Sequence, residues 1–264
     1  MSTDILETIA ASNRYLVAEK QKIKPLDTLM AEALAMECDT GFPFEAALRN
    51  QNMAFICECK KASPSKGLIA PEFPYLEIAK AYEAAGAAAI SVLTEPKWFL
   101  GSDAYLKEIS SAVKTPCLRK DFTVDAYMIY EAKILGAAAV LLICALLDEK
   151  TLAAYIRICD CLGLSALVEA HDEQEIRMAV DCGASAIGVN NRNLRDFTVD
   201  VENSARLRQC APKDVLFVAE SGIRTPEDVE RLRQADIHTV LIGETLMRAE
   251  DKTAMLRHLR GEWK

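Results

Sequence analysis

Six polar residues stand where apolar runs end. Ile56-Cys57-Glu58-Cys59-Lys60 closes one run and Leu118-Arg119-Lys120 another, while Glu169, Asn190 and Glu220-Ser221-Gly222 close three more. Side chains alternate between the two faces of a strand, so Ile56, Glu58 and Lys60 share one. If Ile56 faces a packed interior, a carboxylate and an ammonium emerge together at its mouth. One charged strand end is commonly a solvated rim residue. Two lysines, three glutamates and an asparagine, all ending runs that are otherwise apolar, predict a catalytic cluster rich in proton donors and acceptors.

Two glycine-bearing turns add a second kind of chemistry. Glu220-Ser221-Gly222-Ile223 and Ile242-Gly243-Glu244-Thr245 end the last two runs, and residues 243–248 have the length of a short extra helix. Backbone N–H groups in such turns suit a phosphate. Glycine at a strand end is also common for geometric reasons alone, and it is the pair in consecutive units that points to an anion.

The elements that must position these residues recur along the chain. Short β-rich runs occupy 54–60, 88–94, 116–120, 138–144, 164–169, 185–190, 215–220 and 238–242. They lie about 25 residues apart, room for a strand, a helix and two short loops. The joints echo one another as Gly86-Ala-Ala-Ala-Ile, Gly136-Ala-Ala-Ala-Val and Gly183-Ala-Ser-Ala-Ile, where glycine suits the left-handed position past a helix end. Residues 125–135 and 225–234 carry apolar positions at helical spacing, and Thr225-Pro226-Glu227-Asp228 reads as a capped helix start. Near-continuous apolar strands alternating with helices imply a parallel sheet covered on its outside. Eight units predict a single closed (β/α)8 barrel, a TIM barrel, over residues 51–264, with an open doubly wound sheet as the alternative. Residues 1–50 break the repeat. They read as an N-terminal extension with helices over 4–22 and 25–38, packed on the barrel within one structural domain.

Composition narrows the function classes. Of 264 residues 51% are hydrophobic and 27% charged, which excludes a disordered chain. No window approaches a membrane span, and no export signal is visible near the start. The net charge is −8 and the 31 basic residues are scattered, unlike the concentrated basic face of a nucleic-acid binder. Nine cysteines without a CxxC, and three histidines without ligand spacing, read as reduced thiols in a cytoplasmic protein with no metal and no cofactor. The expected partner is a small phosphorylated substrate, and the expected state a monomer or weak homodimer.

The run Glu58-Cys59-Lys60-Lys61-Ala62-Ser63-Pro64-Ser65-Lys66-Gly67 resembles the first-strand motif of the indole-3-glycerol phosphate synthase family. Ser91-Val92-Leu93-Thr94-Glu95-Pro96-Lys97-Trp98-Phe99, Leu118-Arg119-Lys120-Asp121-Phe122 and Leu167-Val168-Glu169-Ala170-His171 are similar to its later blocks. Gly188-Val189-Asn190-Asn191-Arg192-Asn193-Leu194 and Ala219-Glu220-Ser221-Gly222-Ile223 complete the set in order. The resemblance spans the barrel and extends to the N-terminal helices. It implies a lyase of tryptophan biosynthesis that closes the ring of 1-(2-carboxyphenylamino)-1-deoxyribulose 5-phosphate, losing CO2 and water. The ketone oxygen needs an acid, the departing hydroxyl needs a second proton, and the anilino N–H must lose one.

By the same resemblance, Lys120 is the general acid on the ketone. Lys60 holds the anthranilate carboxylate or protonates the departing hydroxyl. Glu58 and Glu169 accept or relay protons, Asn190 orients sugar hydroxyls, and Arg192, Glu220 and Ser221 support the site. Ser63, Gly222, Gly243 and the backbone of Glu244 take the phosphate, and Phe99 and Phe122 flank the aromatic ring. Glu244 stands where many relatives carry serine, so its side chain is expected to point to solvent. Residues 66–70 lack an acidic residue that some relatives carry, leaving that loop's role open. Competing readings are another phosphate-binding isomerase or lyase of the same pathway, a Schiff-base aldolase using Lys120, and a silent partner barrel.

Overall fold

A computed structural model describes residues 5–193 and 197–262. Leu194 of the quoted motif and Asp4 of the first expected helix lie outside the described residues. The strands are β1 (Ala54–Cys59), β2 (Ala62–Ser63), β3 (Gly67–Leu68), β4 (Ala89–Leu93), β5 (Cys117–Lys120), β6 (Ala139–Ile143), β7 (Ser165–Ala170), β8 (Ala186–Asn190), β9 (Leu216–Glu220) and β10 (Thr239–Ile242). Among the described residues eight of them close a parallel barrel, with β1 paired to both β4 and β10. That closure decides against the open sheet. β2 and β3 form a small antiparallel hairpin after β1, an element too short to show in the sequence.

The alternation read from Ile56 places the core. Ala54, Ile56, Leu118, Leu141, Leu167, Val218 and Leu241 pack into one cluster inside the barrel. Phe55, Cys57, Val92, Val140, Val168 and Val240 point the other way and pack under the surrounding helices. Each such fully buried Leu or Ile contributes about 1.5–3 kcal/mol.

The helices are α1 (Ile5–Ile23), α2 (Leu26–Leu34), α3 (Pro43–Arg49), α4 (Tyr75–Ala84), α5 (Asp103–Ala112), α6 (Ala126–Ile134), α7 (Glu149–Cys161), α8 (Glu173–Asp181), α9 (Glu202–Leu207), α10 (Pro226–Gln234), α11 (Glu244–Arg248) and α12 (Lys252–Leu259). Six of them start with a side chain that accepts from the first turn: Ser102, Asp125, Asp148, Asp172, Thr225 and Asp251. The repeated glycine joint is a Schellman ending. After α4, the N–H of Ala87 donates to Tyr82 O and that of Gly86 to Glu83 O, both at 2.9 Å, with Gly86 at φ +78°. Gly136 and Gly183 repeat the arrangement after α6 and α8.

The N-terminal extension differs in detail from the expectation: α2 ends at Leu34, short of residue 38, and α3 is a third helix beyond the two expected. Leu6 and Ile9 of α1 join the cluster inside the barrel. Buried Asn13, one turn further, donates to Asp121 Oδ1 at 2.8 Å and to Phe122 O at 3.0 Å, immediately after β5. All nine cysteines are unpaired thiols, and no described helix is long and apolar enough to cross a membrane.

Candidate active site

A cavity of ≈ 530 Å³ opens at the C-terminal ends of the barrel strands, where barrels of this kind carry their chemistry. Every site residue singled out in the sequence lines it: Glu58, Lys60, Ser63, Phe99, Lys120, Phe122, Glu169, Asn190, Arg192, Glu220, Ser221, Gly222, Gly243 and Glu244. The strand registers bring them to one level. Lys120 stands beside Leu93, Glu169 beside Ile143, and Asn190 beside Glu220.

Two ion-paired groups face each other across the mouth. Lys120 Nζ lies 3.1 Å from Glu169 Oε2 and 3.2 Å from Glu220 Oε2. Lys60 Nζ pairs with Glu58 Oε1, while Ser91 Oγ donates to Glu58 Oε2 at 3.4 Å. Asn190 Nδ2 donates to Glu169 Oε1 at 3.3 Å, and Asn190 Oδ1 accepts from the Arg192 N–H at 3.0 Å. Two glycines make room for this cluster. A Cβ on Gly188 would run into Glu220 Oε1, and one on Gly243 would meet the Glu58 carboxylate and stand 3.3 Å from Lys60 Nζ.

The wall on one side is apolar. Phe99 and Phe122 lie with ring centroids 5.9 Å apart, next to Ile5, Leu6 and Ile9 of α1 along the cavity. The loop carrying Phe99 folds over buried Glu95, whose carboxylate accepts from the N–H groups of Lys97, Trp98 and Phe99 at 2.7–2.9 Å.

At the opposite end the two glycine turns are tied together. Thr245 Oγ1 donates to Ile223 O at 2.9 Å, and Asn191 Nδ2 donates to Ser221 O at 3.1 Å. Ser221 and Gly222 both take left-handed conformations, at φ +69° and +83°. α11 begins just past Gly243, as expected. The Glu244 side chain departs from expectation. It is only 28% exposed and turns to Lys66 at 3.8 Å and Arg248 at 3.0 Å, two cations beside the same cavity that offset its charge. Lys66 reaches it from the β2–β3 hairpin, the segment whose role the sequence left open.

The sequence of residues 6–259 matches the family described as indole-3-glycerol phosphate synthase. The chain belongs to the indole-3-glycerol phosphate synthase family. Synthases of that name from Ruminiclostridium cellulolyticum and Endomicrobium trichonymphae are 56% and 50% identical to it, each over 97% of this chain and 99% of the relative. The solved thiamine phosphate pyrophosphorylase from Pyrococcus furiosus shares the barrel alone, with TM-score 0.61 and 16% identity over 81% of this chain and 96% of that one.

In this member of the synthase family the charges at the mouth divide the protons unequally. Burial alone would lower the Lys120 pKa, but Glu169, Glu220 and Glu58 outweigh it and hold the ammonium above the ordinary lysine range. Burial would raise Glu169, yet Lys120 and His171 keep it well below the usual carboxylate range. Glu220 goes the other way. Burial pushes it up to about 7, against the pull of Lys120 and with a further push from Glu169. Its Oε1 has no hydrogen-bond donor, which fits a carboxyl that keeps its proton near neutrality.

Several residues at the synthase-family site lack a distinct sequence signal. His171 stands 3.4 Å from Glu169 Oε1 and 3.0 Å from Glu175 Oε2. Its place just past a strand end was the available hint. Arg224 and Arg248 join Lys66 along the cavity at the two glycine turns. Arg119, next to Lys120 in sequence, faces outward instead and ion-pairs with Asp103 and Glu131 at 2.7 and 2.8 Å. Lys20 of α1 meets the same two carboxylates at 2.6 and 2.7 Å. That partly buried network ties α1, α5 and α6 to β5. Among the described residues no three histidine, cysteine or carboxylate side chains are grouped as a metal ion requires.

Proposed function

We propose that the chain converts 1-(2-carboxyphenylamino)-1-deoxyribulose 5-phosphate to indole-3-glycerol phosphate, with Lys120 as the acid on the ketone. The position of the Lys120 ammonium carries this reading: it is partly buried at the mouth, between Glu169 and Glu220. As the aryl carbon bearing the carboxylate bonds to the carbonyl carbon, charge grows on oxygen, and a partly buried cation stabilises and protonates it. CO2 then leaves and its bonding electrons restore the aromatic ring. The hydroxyl departs as water on a second donated proton, while a carboxylate takes the proton released in forming the indole double bond.

Ionised Glu169 suits the accepting role, with Glu58 as the relay on the opposite side. Lys60 serves the anthranilate carboxylate or the departing hydroxyl, and Glu220 can hold a proton at neutral pH. Asn190 orients the sugar hydroxyls, with Arg192 and Ser221 in support. Phe99 and Phe122 flank the aromatic ring. The phosphate lies at the other end, against Ser63, Gly222, Gly243 and the Glu244 N–H. Backbone donors there favour an anion, and Lys66 and Arg248 cancel the carboxylate beside it.

The extension and barrel work as one unit in this reading, because α1 supplies part of the cavity wall. The protein acts in the cytoplasm as a monomer or weak homodimer on a small molecule, without nucleic acid or a cofactor. Incubation with the carboxyphenylamino-deoxyribulose phosphate while following indole fluorescence tests the reading. A rising signal that is lost in Lys120→Ala is expected, and no turnover by the unaltered protein overturns it.

A further inference from the structure

The Glu169 carboxylate is gripped on both oxygens. Lys120 stands 3.1 Å from Oε2. Asn190 Nδ2 donates to Oε1 at 3.3 Å, and His171 Nε2 stands 3.4 Å from the same oxygen. His171 is pinned from behind by Glu175 in the first turn of α8. Glu175 Oε2 accepts from the His171 backbone N–H at 2.7 Å and lies 3.0 Å from Nδ1. Asp172 caps the same turn by accepting from the Glu175 N–H at 2.9 Å. Two carboxylates on either side of one imidazole favour the imidazolium; here Nδ1 hydrogen-bonds to Glu175, and Nε2 meets Glu169 as an ion pair without a hydrogen bond. Glu169 is buried, whereas His171 and Glu175 are each 21% exposed.

We infer that His171, backed by Glu175, is a positioning residue that keeps Glu169 ionised and aimed at the reacting atoms. The inference rests on the proposed reading of Glu169 as a proton acceptor. Burial would lower the His171 pKa, but the Glu169 and Glu175 carboxylates outweigh it and raise it to about 10, so the cation persists at neutral pH. The other charged groups around Glu169 are Lys120 from β5, Glu220 from β9 and Glu58 from β1. Just past β6 the Cys144 thiol donates to Glu175 O at 3.6 Å and is itself pushed up by burial. Without the imidazolium, the Glu169 charge is left to Lys120, and Glu169 becomes easier to protonate.

The experiment compares His171→Gln, His171→Ala, Glu175→Gln and Glu169→Gln by kcat, KM and the pH profile of kcat, with thermal melts to certify folding. His171→Gln should lower kcat about tenfold with KM little changed, because a misaimed base loses rate rather than binding. The acid limb of kcat should move up by about one pH unit. Glu175→Gln should move it the same way by less, and it keeps the test available if His171 variants fail to fold. Glu169→Gln should be inactive, and adding His171→Gln to it should change nothing further. Folded His171 variants with ordinary kcat and an unmoved acid limb, beside an inactive Glu169→Gln, overturn the inference and leave the site reading standing. An active Glu169→Gln overturns the reading itself.

Discussion

Asn13 and Asp121 lie 108 residues apart in sequence, yet the Asn13 amide donates to the Asp121 carboxylate at 2.8 Å. The same carboxylate accepts from the Phe122 N–H and the Thr94 hydroxyl. The backbone leaving Lys120 is therefore clamped between α1 and Thr94 just past β4, which fixes the origin of the Lys120 side chain.

Asn13→Ala removes both donations and leaves buried acceptors at Asp121 and Phe122 short of a partner. A loss of about 1–3 kcal/mol in stability is expected, with a drop in kcat beyond that of Val17→Ala, a buried α1 residue outside the cavity lining. Urea unfolding and steady-state kinetics check it. Unchanged kcat in folded Asn13→Ala would detach the clamp from the chemistry.

The two glycines of the anion turns should respond differently. Gly243 has φ −115°, which alanine adopts readily, but its Cβ would displace the Glu58–Lys60 pair. Gly243→Ala should cut kcat at least about tenfold at nearly unchanged melting temperature, since a small misplacement of acid–base groups is enough. At Gly222 a Cβ would meet Val199 and Val201, 2.6 and 2.8 Å away, at φ +83°. Gly222→Ala should lose about 1–2 kcal/mol of stability from the left-handed conformation alone. Kinetics and melts of both variants together separate the two effects.

Stability should fall as pH rises through the range set by Glu220. Its folded pKa is about 7 against an ordinary 4.5, so between those values the folded state holds a proton that the unfolded state has released. Each kcal/mol lost lowers the melting temperature by about 2–4 °C in a chain of roughly this size. Glu220→Gln should flatten that decline, gaining on the unaltered protein between pH 5 and pH 8. His171 adds a decline at higher pH: its contribution is complete below 6.5 and lost toward about 10. Parallel melting curves for the two proteins from pH 5 to 8 would refute the Glu220 assignment.

The barrel was legible because parallel strands covered on both faces read as apolar runs, and because Gly86, Gly136 and Gly183 mark the same helix ending three times. The period of two sufficed to place Glu58 and Lys60 at the mouth once Ile56 faced inward. It also separates Lys120 from Arg119, though the destination of Arg119 depends on Asp103 and Glu131 from two different helices. His171 was illegible for a similar reason. Its role follows from the start of α8, which brings Glu175 behind the ring next to Glu169 at the end of the same strand. Short elements such as α3 and the β2–β3 hairpin carry too few residues for any period to register.

The kcat of folded Lys120→Ala on the carboxyphenylamino-deoxyribulose phosphate bears most directly on the central assignment. Loss of a positioned acid should lower kcat by about two orders of magnitude or more, with KM much less affected. Lys120→Arg should not restore it, since the planar guanidinium cannot take the compact ammonium's place between Glu169 and Glu220. A well-folded Lys120→Ala variant with near-ordinary kcat would contradict the assignment and leave Lys120 as no more than the counter-cation of Glu169 and Glu220.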